Sequence, residues 1–260
     1  MKEAISVRVD GGVGIITIDR PETLNALDVP TLQLLDAHVG DLERNADVRV
    51  LIFTGAGDRA FVAGGDIADL DSRRGLEHYL GFADVVHRVF RHVETVDKPT
   101  ISAINGWALG GGMELLLATD LRIAAATAKL GLPEITLGLF PGAGGTQRLL
   151  RQVAPCKARE LMFIGDAIAA EEALTIGLIN KVVPTASLMQ EALMWARRIA
   201  DKSPLVLKLL KRTLSSGGDM PLAAALAHEQ AMIGLVLDSE DAHEGCGAFL
   251  AKRKAVFSGR

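Results

Sequence analysis

Thr100-Ile-Ser-Ala-Ile-Asn-Gly-Trp-Ala-Leu-Gly-Gly-Gly-Met-Glu-Leu-Leu-Leu-Ala-Thr-Asp-Leu-Arg-Ile-Ala124 carries the alternation that decides the fold. Thr100 to Ile104 is a short apolar run of the kind buried in a sheet, and Gly110-Gly111-Gly112 interrupts the chain. Met113 to Ala118 then reads as helix, and Leu121 to Ala124 as a strand again. Strand, glycine turn, helix and strand in succession predict an α/β protein. The same cycle stands upstream. Leu32, Leu35, Val39 and Leu42 keep helical spacing across Pro30 to Leu42, Val48 to Phe53 is a second buried-strand run, and a helix is expected near Leu76 to Val93. In front of both, Ile5, Val7 and Val9 alternate with polar residues, Asp10-Gly11-Gly12 supplies a turn, and Val13 to Ile18 resumes a β-rich run, which predicts a hairpin.

Strand signals stop after Ser187. Ser187-x-x-Gln190 reads as a capping box before Leu188, Ala192, Trp195 and Ile199, and further helical patterns span 205–215 and 221–237. Leu205, Leu209, Leu222, Leu226, Ile233 and Leu237 exceed what one compact core needs, so these helices are expected to pack on another subunit. The expected division is a catalytic core over 1–200 and a helical oligomerisation region over 201–260.

With 260 residues, 49% of them hydrophobic, the chain can bury a large core. A net charge of −4 and a pI near 5.9 argue against a strongly basic nucleic-acid surface. Cys156 and Cys246 have neither disulfide-framework nor zinc spacing, no run is long and apolar enough to span a bilayer, and a cytoplasmic protein without an anchor is expected. The histidines (38, 78, 87, 92, 228 and 243) show no ligand spacing, and no metal is expected. Walker A and G-x-S-x-G sequences are missing. Gly55-Ala-Gly-Asp-Arg-Ala60 matches the dinucleotide fingerprint in form, yet the residues that follow it read as extended chain where that motif needs a helix.

Two carboxylates stand out. Glu114 is the single ionisable group in Trp107 to Thr119, and Glu134 is the single one in Leu130 to Gln147. Burial and mutual proximity raise a carboxyl pKa toward the range where it serves as general acid or base. The plainer alternative is a packing ion pair with a buried arginine such as Arg122 or Arg148. Around these acids lie three glycine clusters. Gly110-Gly111-Gly112 and Ala63-Gly64-Gly65-Asp66 can open backbone N–H groups to a substrate, and two donors from separate loops make an oxyanion hole. Pro141-Gly142-Ala143-Gly144-Gly145-Thr146 begins a helix that could aim its dipole at a water or substrate oxygen. Taken singly, each cluster also fits a tight turn.

Arg20-Pro-Glu-Thr-Leu-Asn-Ala-Leu27, Phe61-Val-Ala-Gly-Gly-Asp-Ile67, Lys98-Pro-Thr100, Ile104 through Glu114, and Leu130-Gly-Leu-Pro-Glu134 through Thr146 together resemble the crotonase (enoyl-CoA hydratase/isomerase) superfamily along essentially the whole chain. The resemblance implies a spiral of ββα units with a helical C-terminal region that builds trimers, commonly paired into hexamers. It implies that the Gly65 and Gly111 N–H groups hold a thioester oxygen and that Glu114 and Glu134 are the catalytic carboxylates. Both acids being present favours hydration of a 2-enoyl-CoA to a 3-hydroxyacyl-CoA over double-bond isomerisation, hydrolysis or decarboxylation. Ala26, Leu27, Ala63, Gly64, Asp66 and Ile67 match positions along the coenzyme A groove, Gly142 is a further candidate for binding the substrate, and Lys252 and Lys254 of the basic tail are candidates for its phosphates. No cofactor is implied beyond the coenzyme A of the acyl-CoA substrate. Ala68 stands where many relatives carry lysine, and Leu132 where some hydratases carry glutamine. RNA-binding members of this superfamily carry a lysine-rich helix, whereas 77–92 holds only Arg88 and Arg91, so no nucleic-acid partner is expected.

Overall fold

The computed structural model describes residues 3–260. Strands β1 (Ile5–Asp10) and β2 (Val13–Ile18) form the expected antiparallel hairpin, which leads into α1 (Val29–Arg44). The chain then alternates between two sheets. β3 (Val50–Gly55) joins the main sheet, β4 (Ala60–Val62) starts a smaller one, and α2 (Ile67–Ser72) and α3 (Asp84–Thr95) follow. β5 (Thr100–Ile104), β6 (Trp107–Leu109) and α4 (Gly111–Leu117) make the next turn. The third comprises β7 (Leu121–Ala125), β8 (Lys129–Gly131), a 3-10 turn over Pro133–Leu137 and α5 (Gly145–Gln152). After α6 (Pro155–Ile164), β9 (Ile168–Ala169) and α7 (Ala170–Thr175), β10 (Lys181–Val183) closes the main sheet. α8 (Leu188–Ala200), α9 (Pro204–Gly217), α10 (Leu222–Leu237) and α11 (Glu240–Leu250) complete the described chain.

Main-sheet order is β1-β2-β3-β5-β7-β10, parallel from β2 onward; the smaller sheet runs β4-β6-β8-β9, with β9 antiparallel. Each turn therefore lays one strand in each sheet before its helix, which is the ββα spiral. β3 and β5 are buried at every position because apolar layers cover both faces of the main sheet, so they read as continuous apolar runs. One layer, built around Phe53, Phe61, Phe90 and Met113, lies between the two sheets and α1, α3 and α4. The other packs Val13, Ile52, Ile101 and Ile123 under α8.

Several expectations are corrected. The strand placed at Val48 to Phe53 runs from Val50 to Gly55. The helix expected across Leu76 to Val93 is a π-helical turn, His78–Ala83, continuing into α3. The helix placed at Met113 begins two residues earlier, so Gly111 and Gly112 lie inside α4. Ser187 makes no capping bond: it ends the 3-10 turn Thr185–Ser187 in a helical backbone conformation, whereas a capping hydroxyl needs an extended backbone to reach forward. Caps of the expected kind occur instead at Asp28, Asp66, Ser203 and Ser239. β4, β6 and β8 are three residues long and too short to show any period, so the second sheet left no periodic signal.

Candidate active site

Three loops converge at the edge of the smaller sheet. Leu27 accepts a bridge from the glycine loop after β4: its N–H donates to Gly64 (2.9 Å) and its carbonyl accepts from the Asp66 N–H (2.9 Å). Because residues 64 and 66 make those bonds, the N–H of Gly65 faces the opposite way, toward α4. A β-carbon on Gly111 would stand 3.4 Å from the Gly65 nitrogen. Gly111 opens α4, so its N–H has no acceptor within the helix, and among the described residues neither N–H is taken. Two unpaired donors from separate loops thus lie side by side.

The neighbouring glycines do different work. Gly110 has φ +51° and ψ −122°, a conformation that side chains rarely adopt. At Gly112 a β-carbon would fall 2.0 Å from the Val62 carbonyl oxygen, so only glycine lets α4 sit against β4.

The loop that carries Leu27 is fixed from below. Asn25 is fully buried with φ +60°; its Oδ1 accepts from the Arg20 N–H (3.0 Å) and its Nδ2 donates to the carbonyls of Ala56 (3.0 Å) and Ala60 (2.8 Å). Arg20 donates to the Ala26 carbonyl (2.6 Å) and pairs with Asp28 (3.0 Å) and Asp66 (3.3 Å). Asp66 also caps α2 through the N–H groups of Ala68 and Asp69. Its carboxylate is therefore occupied in holding the loop rather than open to a ligand. Sequence reasoning passed over Arg20 and Asn25 as site residues, although both stand in the motif that carried the resemblance. Ala26, Ala63 and Gly64 lie along this seam, with Ile67 exposed at its rim.

Glu114 is 3% exposed, and its Oε1 accepts from Ala143 N–H (2.7 Å) and Gly145 N–H (2.8 Å). These are the N–H groups expected to face water or substrate; they are spent on the carboxylate, beside the exposed Gly142. Burial pushes the Glu114 carboxyl up, against the two N–H donors and the Arg148 charge, which pull it down. Glu134 stands on the 3-10 turn with Oε1 3.1 Å from where a β-carbon of Gly110 would be, over the start of α4. Its Oε2 is buried without a hydrogen-bond partner. Burial, reinforced by the charge of Glu114, pushes its carboxyl up to about 7.

The arginine pairing alternative fails at both acids. Arg122 is consumed by the carbonyls of Leu116, Leu117, Thr119 and Leu178, and Arg148 pairs with Glu94 (3.0 Å). Arg88 and Arg91, the two cations of 77–92, pair with Asp36 and Glu94. Lys254 pairs with Asp201 (3.2 Å) at the end of α8, on the far face of the main sheet. Within one chain, then, the basic tail of Lys252 and Lys254 is not brought to the glycine loops. Among the described residues no cluster of metal-ligating side chains occurs, and no helix is long and apolar enough to cross a membrane.

The chain as a whole is matched by known proteins. The family model described as enoyl-CoA hydratase/isomerase matches residues 8–260. The chain belongs to the enoyl-CoA hydratase/isomerase family. It is 42% identical over 245 residues to a short-chain-enoyl-CoA hydratase of Clostridium acetobutylicum, covering 94% of each chain. It is likewise 42% identical over 255 residues to a crotonyl-CoA hydratase of Syntrophomonas wolfei, covering 98% of each. The crystal structure of an enoyl-CoA hydratase from Bacillus anthracis superposes with a TM-score of 0.95 at 38% identity, covering 99% of this chain and all of the other. Family membership and the spiral fold thus rest on agreement along the whole chain.

Proposed function

We infer that the chain is an enoyl-CoA hydratase, a hydro-lyase that adds water reversibly to a 2-enoyl-CoA to give the 3-hydroxyacyl-CoA. One observation carries the chemistry: two neighbouring carboxyls have environments that push their roles apart. Burial raises both carboxyls, but Glu114 has two N–H donors and a nearby cation to hold its charged form, whereas Glu134, half-buried with Oε2 unpartnered and facing the charge of Glu114, is the better acid. Glu114 takes a proton from water as its oxygen bonds to Cβ, and Glu134 gives a proton to Cα. Between these events the thioester oxygen carries the charge, held by the N–H groups of Gly65 and Gly111, each contributing about 3–4 kcal/mol of transition-state stabilisation. Transfer of one proton from Glu114 to Glu134 resets the pair. No cofactor enters apart from the coenzyme A of the substrate, which we place along Ala26, Leu27, Ala63, Gly64 and Ile67.

The core over 1–200 acts in a trimer or hexamer built on 201–260, because α10 buries no residue of its own in the single chain. Free, exposed Cys156 and Cys246 suit a reducing, cytoplasmic setting. Hydration of short-, medium- and long-chain 2-enoyl-CoAs in deuterated water tests the reading. Turnover with label at Cα is expected, suppressed in Glu134→Gln. Faster 3-enoyl to 2-enoyl shift than hydration would replace it with an isomerase.

A further inference from the structure

We propose that Arg148 and Glu94 form a positioning clamp for Glu114, gripping the outer side of the 143–145 turn whose inner side holds the carboxylate. The proposal rests on Glu114 being the base. Arg148 is 13% exposed and forks onto Glu94, Nε to Oε1 at 3.1 Å and Nη2 to Oε2 at 3.0 Å. Its remaining terminal nitrogen, Nη1, donates to the Ala143 carbonyl at 3.1 Å. The guanidinium meets the turn through its Nη1 end: a β-carbon at Gly144, where φ is +104°, would stand 2.1 Å from Nη1. From the same turn, the N–H groups of Ala143 and Gly145, in the peptides before and after the one whose carbonyl Arg148 binds, meet Glu114 Oε1. Each link is within hydrogen-bond distance, and a planar fork fixes orientation as a lysine cannot.

A brace between α3 and α5 alone would need only the Arg148–Glu94 pair. The third bond, into the turn that holds the carboxylate, ties the brace to the reacting group. The surroundings of Glu114 leave few other charges. β4 and β6 contribute no ionisable residue, the 3-10 turn contributes Glu134, and α5 contributes Arg148. Arg151 is turned to Asp219 and Gln147, and Arg122 is absorbed by carbonyls at the far end of α4. The charge of Arg148 lowers the Glu114 carboxyl pKa, and Glu94 neutralises part of that charge. The base form disappears as pH falls through the Glu114 pKa. Removing Arg148 therefore moves the acid limb of kcat/KM to higher pH, and removing the charge of Glu94 moves it to lower pH.

The test compares full-length wild type with Arg148→Gln, Arg148→Lys, Glu94→Gln and Glu114→Gln, measuring hydration of a short 2-enoyl-CoA against pH in proteins shown to be folded by circular dichroism. Arg148→Gln is expected to lower kcat about tenfold to a hundredfold with little change in KM and to raise the limb. Arg148→Lys should return the limb toward wild type while kcat stays low, and Glu94→Gln should shift the limb the other way. A brace with no effect on the base would leave the limb in place in all three, and that result overturns the proposal while Glu114→Gln stays strongly impaired. A Glu114→Gln variant with wild-type turnover would instead overturn the reading of Glu114 and the clamp with it. If Arg148→Gln does not fold, Glu94→Gln decides alone: a lowered limb supports the clamp and an unmoved limb refutes it.

Discussion

α4 and α10 are both apolar helices, and they meet opposite fates. α4 buries every residue from Gly112 to Leu117, including one carboxylate, between the smaller sheet and α5. α10 is longer, carries only His228 and Glu229 as ionisable residues, and has no fully buried residue, with Leu222 74% exposed and Leu226, Ile233, Leu235 and Leu237 exposed as well. Apolar sequence alone does not separate the two. In α4 it encloses Glu114; in α10 it leaves exposed apolar side chains, the surface on which we propose that another copy of the chain packs.

The largest effect should come from removing 205–260. This takes away α10 and also Lys211, which is 9% exposed and ties α9 to Asp120 (2.8 Å) just beyond α4. Aggregated or monomeric, inactive protein is expected; a soluble, active trimer by light scattering would erase the distinction between the helices. The double variant Leu226→Asp with Ile233→Asp spares Lys211 and should dissociate the assembly while leaving circular dichroism near wild type.

Next come the acids themselves. Glu114→Gln and Glu134→Gln should each lower hydration by about 10²–10⁴, and the double variant should lose little more, because the pair works as a unit. Additive losses would make them independent groups. A smaller loss is expected from Gly112→Ala, whose new methyl must push α4 away from Val62. Overpacking of this kind costs about 1–3 kcal/mol, read as a lowered Tm, and displaces Gly111 from Gly65, read as reduced kcat.

The smallest expected effect is on stability. The folded state raises the Glu134 carboxyl from its ordinary 4.5 to about 7. Between those two values the unfolded chain releases a proton that the folded chain keeps, so stability falls as pH rises through that window. Glu134→Gln should remove this slope, giving a higher Tm than wild type above neutral pH and no gain at low pH. Parallel Tm profiles would place Glu134 in a wetter environment.

Much of this was legible from the chain. β5 and the hairpin stand where their periodicity put them, and two lone acids in apolar windows marked the buried carboxyls, since burial pattern and isolated charge are local properties. The motif around Gly64-Gly65 and Gly110-Gly111-Gly112 pointed to open backbone, and the structure turns those segments toward each other. Sequence could not tell which N–H groups would meet which oxygens. Glu114 is held from a turn 29 residues away, and Arg148 is forked onto an acid 54 residues away. Such approaches depend on how the sheets and helices stack, on a Gly112 contact with no side chain to record it, and on a backbone bridge at Leu27 that any sequence can make. Local chemistry determined the parts; tertiary packing decided their partners, because hydrogen-bond geometry is fixed only when distant segments are brought within about 3 Å.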